Sequence, residues 1–194
     1  ETAVARSFAL VTRMKRPLAI LVNNAGAARS AKFARTDLAL WDEMLRVNLT
    51  GAYLCTHAAL PALIAAPFAR VVNVASTAGL IGYPYVTAYC AAKHGLVGLT
   101  RALALELAST RVTVNAVCPG YTDTDLVRDA VSNVTARTGR SEHEARAALA
   151  SRNPQGRLVA PEEVAASVAW LCLPESQSIT GQAIAVAGGE VTTG

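Results

Sequence analysis

Hydrophobic residues along the chain alternate between short, mostly apolar runs and longer segments with helical spacing. A short apolar run bounded by polar or small residues is typical of a strand that is buried on both faces of a parallel sheet. The alternation of such strands with helices predicts an α/β fold. We expect four strands, at residues 18–22, 71–75, 111–117 and 182–187.

The segments between these runs predict helices, and several of their ends carry characteristic residues. Asp37 is a favourable N-cap for the helix that follows it, and Pro161 suits the first turn of another. Pro17 closes the first helix. Within the third helix, Gly95 and Gly98 are interpreted as points of close helix packing. Helices are therefore expected over residues 2–15, 38–63, 86–109 and 161–173.

The second predicted helix contains an internal weak point. Asn48 and Gly51 lie in its middle, and both residue types lower helix stability there. We interpret the segment as a kink that frees a backbone carbonyl for water. The alternative is a polar residue that the helix simply tolerates.

Residues 124–160 are the most polar part of the chain. They predict two short helices that are broken near Gly139, with Ser141 as the cap of the second. An insertion of this kind after a strand end is a common position for a segment that covers a substrate. We therefore expect a substrate lid over residues 124–160.

Composition narrows the class of protein. The chain has 194 residues, of which 52% are hydrophobic and 16% charged, so it can bury a core. The net charge of +4 comes from scattered basic residues, which argues against nucleic-acid binding. The three histidines share no spacing that suits metal ligands, and no metal is expected.

The four cysteines and the hydropathy pattern bear on location. The cysteines are far apart and form no C-x-x-C pair, which favours reduced thiols and a cytoplasmic protein. No uninterrupted run of 18 apolar residues occurs, so no membrane span and no membrane partner are expected.

A tyrosine, a lysine and a serine suggest acid–base chemistry. Tyr89 and Lys93 stand four residues apart in a predicted helix and therefore share a face. A nearby cation favours the phenolate and lowers the pKa of a tyrosine. Ser76 follows a predicted strand, where open α/β sheets bind ligands. Together the three side chains can hold a carbonyl oxygen and pass it a proton. Taken alone, Tyr-x-x-x-Lys more often places a solvated lysine stem over a ring.

These residues, together with Asn23-Asn24-Ala25-Gly26, Asn48 and Pro119-Gly120 in this order, resemble the short-chain dehydrogenase/reductase family. The resemblance covers essentially the whole chain. It implies a doubly wound, Rossmann-like sheet, a nicotinamide cofactor that is either NAD or NADP, and a homo-oligomer, either a dimer or a tetramer. By the same resemblance, the apolar helices at 38–63 and 86–109 make the subunit contacts.

The resemblance also implies roles for individual residues. Tyr89 is the expected catalytic acid and base, Lys93 lowers its pKa and holds the nicotinamide ribose, and Ser76 polarises the substrate carbonyl. Asn48 anchors a water in a proton relay behind Lys93. The remaining expected cofactor contacts are Asn24, Ala25, Gly26, Pro119, Gly120, Thr122 and Thr124.

One part of the family's pattern is missing. No Gly-rich turn that could cradle a pyrophosphate precedes residue 23. The resemblance therefore implies that residues 1–194 are an incomplete domain that lacks the first three strands. The strand at 18–22 is then expected to be a bare edge, and cofactor affinity of this chain by itself is expected to be poor or absent.

Two functions remain open from the sequence. The first is an oxidoreductase that transfers a hydride between a nicotinamide cofactor and a small alcohol or ketone. Segments 115–121 and 153–157 are similar to the 3-oxoacyl-thioester reductase branch of the family, so a 3-oxoacyl thioester is a candidate substrate. The alternative is a non-catalytic family member that acts only through subunit association.

Overall fold

A computed structural model describes residues 2–14 and 17–192 of the protein. Lys15 and Arg16 fall outside the described residues. The strands are β1 (Ile20–Asn23), β2 (Ala69–Val74), β3 (Val112–Pro119) and β4 (Ala183–Val186). The helices are α1 (Thr2–Thr12), α2 (Leu38–Leu45), α3 (Gly51–Ala65), α4 (Thr87–Glu106), α5 (Asp125–Thr138), α6 (Glu142–Ala150) and α7 (Pro161–Leu171).

The four strands form one parallel sheet in the order β1-β2-β3-β4. Val22 pairs with Val72, and Val72 pairs with Asn115 on the other side of β2. The predicted α/β fold with four strands is confirmed, and the strand limits differ from those expected by one or two residues. Such shifts arise because hydrogen bonding, rather than hydrophobicity, ends a strand.

Helices cover both faces of the sheet, as a doubly wound fold requires. On one face, Val71 and Val114 pack with Ala59, Leu63 and Ala104 from α3 and α4. On the other face, Val72 and Val117 pack with Leu171 of α7. Burial from both sides explains why β2 and β3 are almost wholly buried.

Within the described residues, β1 is an edge strand. Ile20 and Val22 are 41% and 39% exposed, although both are large apolar residues. The expectation of an apolar edge is therefore confirmed. The wider expectation, that three strands are missing before it, is not confirmed.

A π-helical turn interrupts the long helix that the sequence predicted from 38 to 63. It spans Arg46–Thr50 and lies between α2 and α3. The amide of Gly51 donates to Arg46 O, five residues back. The predicted weak point is thus confirmed as a π turn, a rare feature that often lies at functional sites.

By length and composition alone, the helical stretch Leu38–Ala65 could cross a membrane, and it is the one such stretch among residues 2–14 and 17–192. This differs from the expected absence of any span. Its α3 half packs Ala59 and Leu63 into the core against β2, as helices of folded domains do.

The region 124–160 folds as expected into two short helices. Gly139 ends α5 in the left-handed conformation, with a φ of 69°. Ser141 caps α6 and forms a capping box with Glu144. Val127, Val131, Ala145 and Leu158 form a small core of their own, separate from the main one.

The two glycines of α4 have different surroundings. A Cβ on Gly95 would lie 2.8 Å from Leu49 Cδ2, so its role in close packing is confirmed. A Cβ on Gly98 would meet no atom within 4 Å, so the same interpretation is wrong for Gly98.

We expect alanine substitutions at two glycines to have opposite effects on stability. A Cβ on Gly79, which follows β2, would lie 2.7 Å from Lys93 O in the backbone of α4. Gly79→Ala should therefore lower the free energy of unfolding by about 1–3 kcal/mol. Gly98→Ala should raise it by about 0.5–1 kcal/mol, because alanine costs less chain entropy in a helix.

Urea unfolding of both variants and the wild type measures these changes. A Gly79→Ala protein as stable as the wild type would contradict the close packing of the Ser76 loop, residues 75–86 between β2 and α4, against α4.

Candidate active site

Ser76, Tyr89 and Lys93 meet at the carboxyl end of β2. Ser76 follows the strand and caps the single helical turn Thr77–Gly79, accepting a hydrogen bond from the Ala78 amide at 3.1 Å. Tyr89 lies in the first turn of α4, and the Ser76 side chain is near enough to lower the pKa of its phenol. Lys93 Nζ lies 5.7 Å from the centre of the Tyr89 ring. The predicted shared face is confirmed.

Lys93 is a buried cation with a specific partner. The residue is 3% exposed, and its Nζ donates to Val74 O at 2.8 Å. Val74 is the last residue of β2, so this hydrogen bond fixes α4 against the strand that leads to Ser76. Burial removes water from the ammonium and lowers the pKa of Lys93 to about 8.

The predicted lowering of the Tyr89 pKa by Lys93 is wrong for the chain by itself. Burial of the phenol raises the pKa of Tyr89, and the nearby Ser76 side chain only partly opposes that effect. The Lys93 ammonium bonds to Val74 O and lies over the ring. Desolvation is therefore the main influence on the pKa of Tyr89, and it favours the neutral phenol.

Asn48 connects the π turn to the loop after β1. Its amide nitrogen donates to Ala27 O at 2.8 Å and to Met44 O at 3.0 Å, and its oxygen accepts from the Ala27 amide at 3.2 Å. A Cβ on Gly26 would lie 3.0 Å from Asn48 Oδ1 and 3.5 Å from Lys93 Nζ. The structure thus brings Gly26, Asn48 and Lys93 together, and the alternative of a merely tolerated Asn48 is wrong.

The other expected cofactor residues lie at the same edge of the sheet. Asn24 and Ala25 follow β1 and are exposed. Pro119 ends β3, and the loop after it carries Gly120, Thr122 and Thr124, all partly exposed. Because the strands are parallel, their carboxyl ends converge on one crevice. The cofactor roles of these residues stay predictions.

Sequence reasoning missed a polar network beneath this edge. Asn23 Nδ2 donates to Asn73 Oδ1 at 2.8 Å and to Thr56 Oγ1 at 3.0 Å. Asn73 Nδ2 in turn donates to Thr100 Oγ1 at 2.9 Å. The network ties β1 and β2 to α3 and α4. Its signal in the sequence is an asparagine within an otherwise apolar strand, which needs a buried partner.

Several known proteins are similar to this chain. A sequence profile described as Enoyl-(Acyl carrier protein) reductase matches residues 1–190. The 3-oxoacyl-(acyl-carrier-protein) reductase of Aquifex aeolicus is 38% identical over 189 residues, or 97% of this chain and 72% of that protein. The D-beta-hydroxybutyrate dehydrogenase of Cupriavidus necator is 38% identical over 173 residues, or 89% of this chain and 67% of that protein. The chain belongs to the short-chain dehydrogenase/reductase family.

A solved structure supports the same assignment. The crystal structure of actinorhodin polyketide ketoreductase with NADPH superposes on this chain with a TM-score of 0.91 and 39% sequence identity. The match covers 96% of this chain and 72% of the ketoreductase chain. The chain spans about two-thirds of the length of curated relatives that it matches, with values of 67%, 63% and 67%.

No group of three or more His, Cys, Asp or Glu side chains that could hold a metal ion occurs among residues 2–14 and 17–192.

Burial of Lys93 should make stability depend on pH. The pKa of Lys93 is about 8 in the folded protein against 10.5 for an ordinary lysine, so between these values the unfolded chain binds more protons. The folded state favours the neutral amine, so the free energy of unfolding should be highest above pH 10.5, where Lys93 is neutral in both states. It should fall as the pH drops and Lys93 gains its proton, and this loss is complete once the pH has passed below 8. The change is on the order of 3 kcal/mol.

Urea unfolding of the wild type and Lys93→Met between pH 7 and 10.5 tests this. Other titrations are common to both proteins, so the difference in their free energies of unfolding isolates Lys93. We expect that difference to shift in favour of the wild type as the pH rises. A constant difference would contradict the lowered pKa.

Proposed function

We propose that this protein transfers a hydride between a nicotinamide cofactor and an alcohol or ketone. The observation that supports this most directly is the position of the buried Lys93 ammonium 5.7 Å from the centre of the Tyr89 ring, beside the segment that carries Ser76 at the carboxyl edge of the sheet. Family membership supports the same chemistry.

In the reduction direction, Ser76 holds the substrate carbonyl oxygen and Tyr89 protonates it. The raised pKa of Tyr89 keeps its proton in place near neutral pH, so the phenol enters the reaction as an acid. When bound, the reduced nicotinamide supplies the hydride to the carbonyl carbon. The products at the site are an alcohol and a Tyr89 phenolate, which the adjacent Lys93 ammonium stabilises until a proton from solvent replaces the one lost.

The residues at the crevice suit a nicotinamide cofactor, which is either NAD or NADP. An ammonium has three N–H donors, and Val74 O takes one from Lys93, so two remain for ribose hydroxyls. Asn24, Ala25 and Gly26 leave the backbone after β1 open to a ligand. Pro119, Gly120, Thr122 and Thr124, at the end of β3 and in the loop after it, are proposed to contact the cofactor from the other side.

Asn48 is proposed to support the proton relay through its backbone. Both amide protons of its side chain are already donated, to Ala27 O and Met44 O. A water behind Lys93 would therefore bind the Asn48 carbonyl, which the π turn can expose.

A 3-oxoacyl thioester is the proposed substrate. The reductase of Aquifex aeolicus acts on such a thioester by its name, and it is 38% identical to this chain. In the proposed lid, residues 124–160, four arginines form ion pairs with acidic residues of this chain: Arg128, Arg146, Arg152 and Arg157. This leaves Arg137 and Arg140 as candidates to meet an anionic carrier.

We expect Tyr89→Phe to lower kcat by about 10²–10⁴, because it removes the general acid and keeps the ring. The assay follows oxidation of NADPH or NADH with acetoacetyl-CoA, for this chain and for a form extended at its N-terminus. Tyr85→Phe, which changes an exposed tyrosine in the segment before α4, is the matched control and should retain activity.

A panel of plain ketones in the same assay tests the substrate. Equal rates on unrelated ketones would contradict the thioester proposal. A wild-type protein that binds cofactor but reduces no ketone would favour the non-catalytic alternative.

We also propose that the protein forms a homo-oligomer through α3 and α4. Both helices expose large apolar side chains, since Tyr53, Ile64 and Leu105 are 47%, 48% and 80% exposed. Monomeric proteins rarely expose large contiguous apolar patches, so exposed apolar side chains on both helices favour a partner surface there. A cytoplasmic location is proposed as well, and all four cysteines are free thiols.

Light scattering should give a mass of two or four chains for the wild type. Leu105→Glu in α4 should lower that mass, because it places a charge on the apolar face. Leu126→Glu in α5 is the control and should leave the mass unchanged. A monomeric wild type at micromolar concentration would contradict the oligomer.

A further inference from the structure

Glu190 is a buried carboxylate that no step proposed above uses. It follows β4, and its side chain is only 5% exposed. A buried carboxylate requires compensating donors. Its Oε1 lies 2.7 Å from the Tyr83 hydroxyl and accepts from Arg152 Nε at 3.0 Å. Its Oε2 has no hydrogen-bond partner in the described part of the chain.

Tyr83 connects the Glu190 carboxylate to the Ser76 loop. Its hydroxyl also lies 2.8 Å from the Oγ1 of Thr77, the residue directly after Ser76. The phenol has one proton and a carboxylate only accepts, so Tyr83 donates to Glu190 and Thr77 donates to Tyr83. Burial and Glu190 raise the pKa of Tyr83, so the phenol keeps that proton.

Arg152 extends the same contacts to the proposed lid. It lies two residues beyond the end of α6, and its guanidinium stacks over the Tyr83 ring at 4.6 Å. The Tyr83 ring also meets the Tyr121 ring edge-on, with centres 6.2 Å apart. Tyr121 follows Gly120, where a Cβ would lie 3.1 Å from Glu190 Oε2. The lid, the turn after β3 and the Ser76 loop therefore meet at one carboxylate.

We propose that Tyr83, Glu190 and Arg152 are positioning residues that act as one unit to hold the Ser76 loop in its catalytic position. Elsewhere the loop is held by α4, where Gly79 packs on the Lys93 backbone. Tyr83, Glu190 and Arg152 hold the loop through Thr77 and link it to the segment that is proposed to cover the substrate. This inference rests on the proposed function for its effect on catalysis, but its structural part does not.

Hydrogen exchange measures the structural part directly. The amides of Gly79, Leu80 and Ile81 donate to Ser76 O and Thr77 O, so their exchange reports opening of this loop. In Tyr83→Phe and in Glu190→Gln, we expect these amides to exchange about tenfold faster. Tyr85→Phe removes a hydroxyl from an exposed tyrosine nearby and should leave their exchange unchanged.

The double variant tests whether the residues act as one unit. Exchange in Tyr83→Phe/Glu190→Gln should match the larger single effect, because both changes break the same link. If the increase in exchange rate equals the product of the two single increases, the residues act independently, and this would overturn the claim that they act as one unit. Unchanged exchange in both single variants would overturn the proposal altogether.

Arg152→Gln provides a variant that is safe for folding, since this side chain is 41% exposed. It should speed exchange of the same three amides by about threefold. If Tyr83→Phe fails to fold, Arg152→Gln decides, and wild-type exchange in it would overturn the proposal.

Steady-state kinetics measures the effect on catalysis. A displaced Ser76 should lower kcat by about tenfold in Tyr83→Phe with little change in the KM for cofactor. A raised cofactor KM with unchanged kcat would overturn the positioning role. If the wild type reduces no ketone at all, the proposed function fails, and the exchange experiment still decides whether the unit holds the loop.

Discussion

The catalytic end of this fold depends on one buried charge. The ammonium of Lys93 reaches from α4 to the carbonyl at the end of β2, and this hydrogen bond fixes the helix that carries Tyr89 relative to the strand that leads to Ser76. The space beside it fits a residue without a side chain, because a Cβ on Gly26 would approach both Lys93 and Asn48. A cation that is almost inaccessible to water therefore lies beside the segments that follow β1 and β2.

Burial holds Tyr89 and Lys93 in position and also disfavours the charged form of each side chain. It raises the pKa of Tyr89 and lowers that of Lys93 to about 8. A phenol and an ammonium that face each other in water would favour phenolate, but desolvation outweighs that attraction here. The protein alone therefore keeps Tyr89 protonated. Stabilising the phenolate calls for additional positive charge, which a cationic oxidised nicotinamide carries.

Asparagine has a consistent role in this molecule. Asn48, Asn73 and Asn115 are each buried within otherwise apolar elements, and each is hydrogen-bonded to a different element of the fold. Such contacts cost little only when every donor and acceptor is paired, so they specify one arrangement of the elements. The π turn around Asn48 belongs to the same arrangement, because it directs the side chain of Asn48 to the loop after β1.

The sequence by itself determined the α/β class, the four strands, most helix limits, the capping of α6 by Ser141 and the shared face of Tyr89 and Lys93. These features depend on local hydrophobic periodicity and on contacts between residues close in the chain. Only the tertiary structure decided the sign of the Tyr89 pKa shift, the π form of the turn at Asn48, the different surroundings of Gly95 and Gly98, and the meeting of Tyr83, Arg152 and Glu190. Each of these depends on burial or on contacts between distant residues, and no local pattern encodes either.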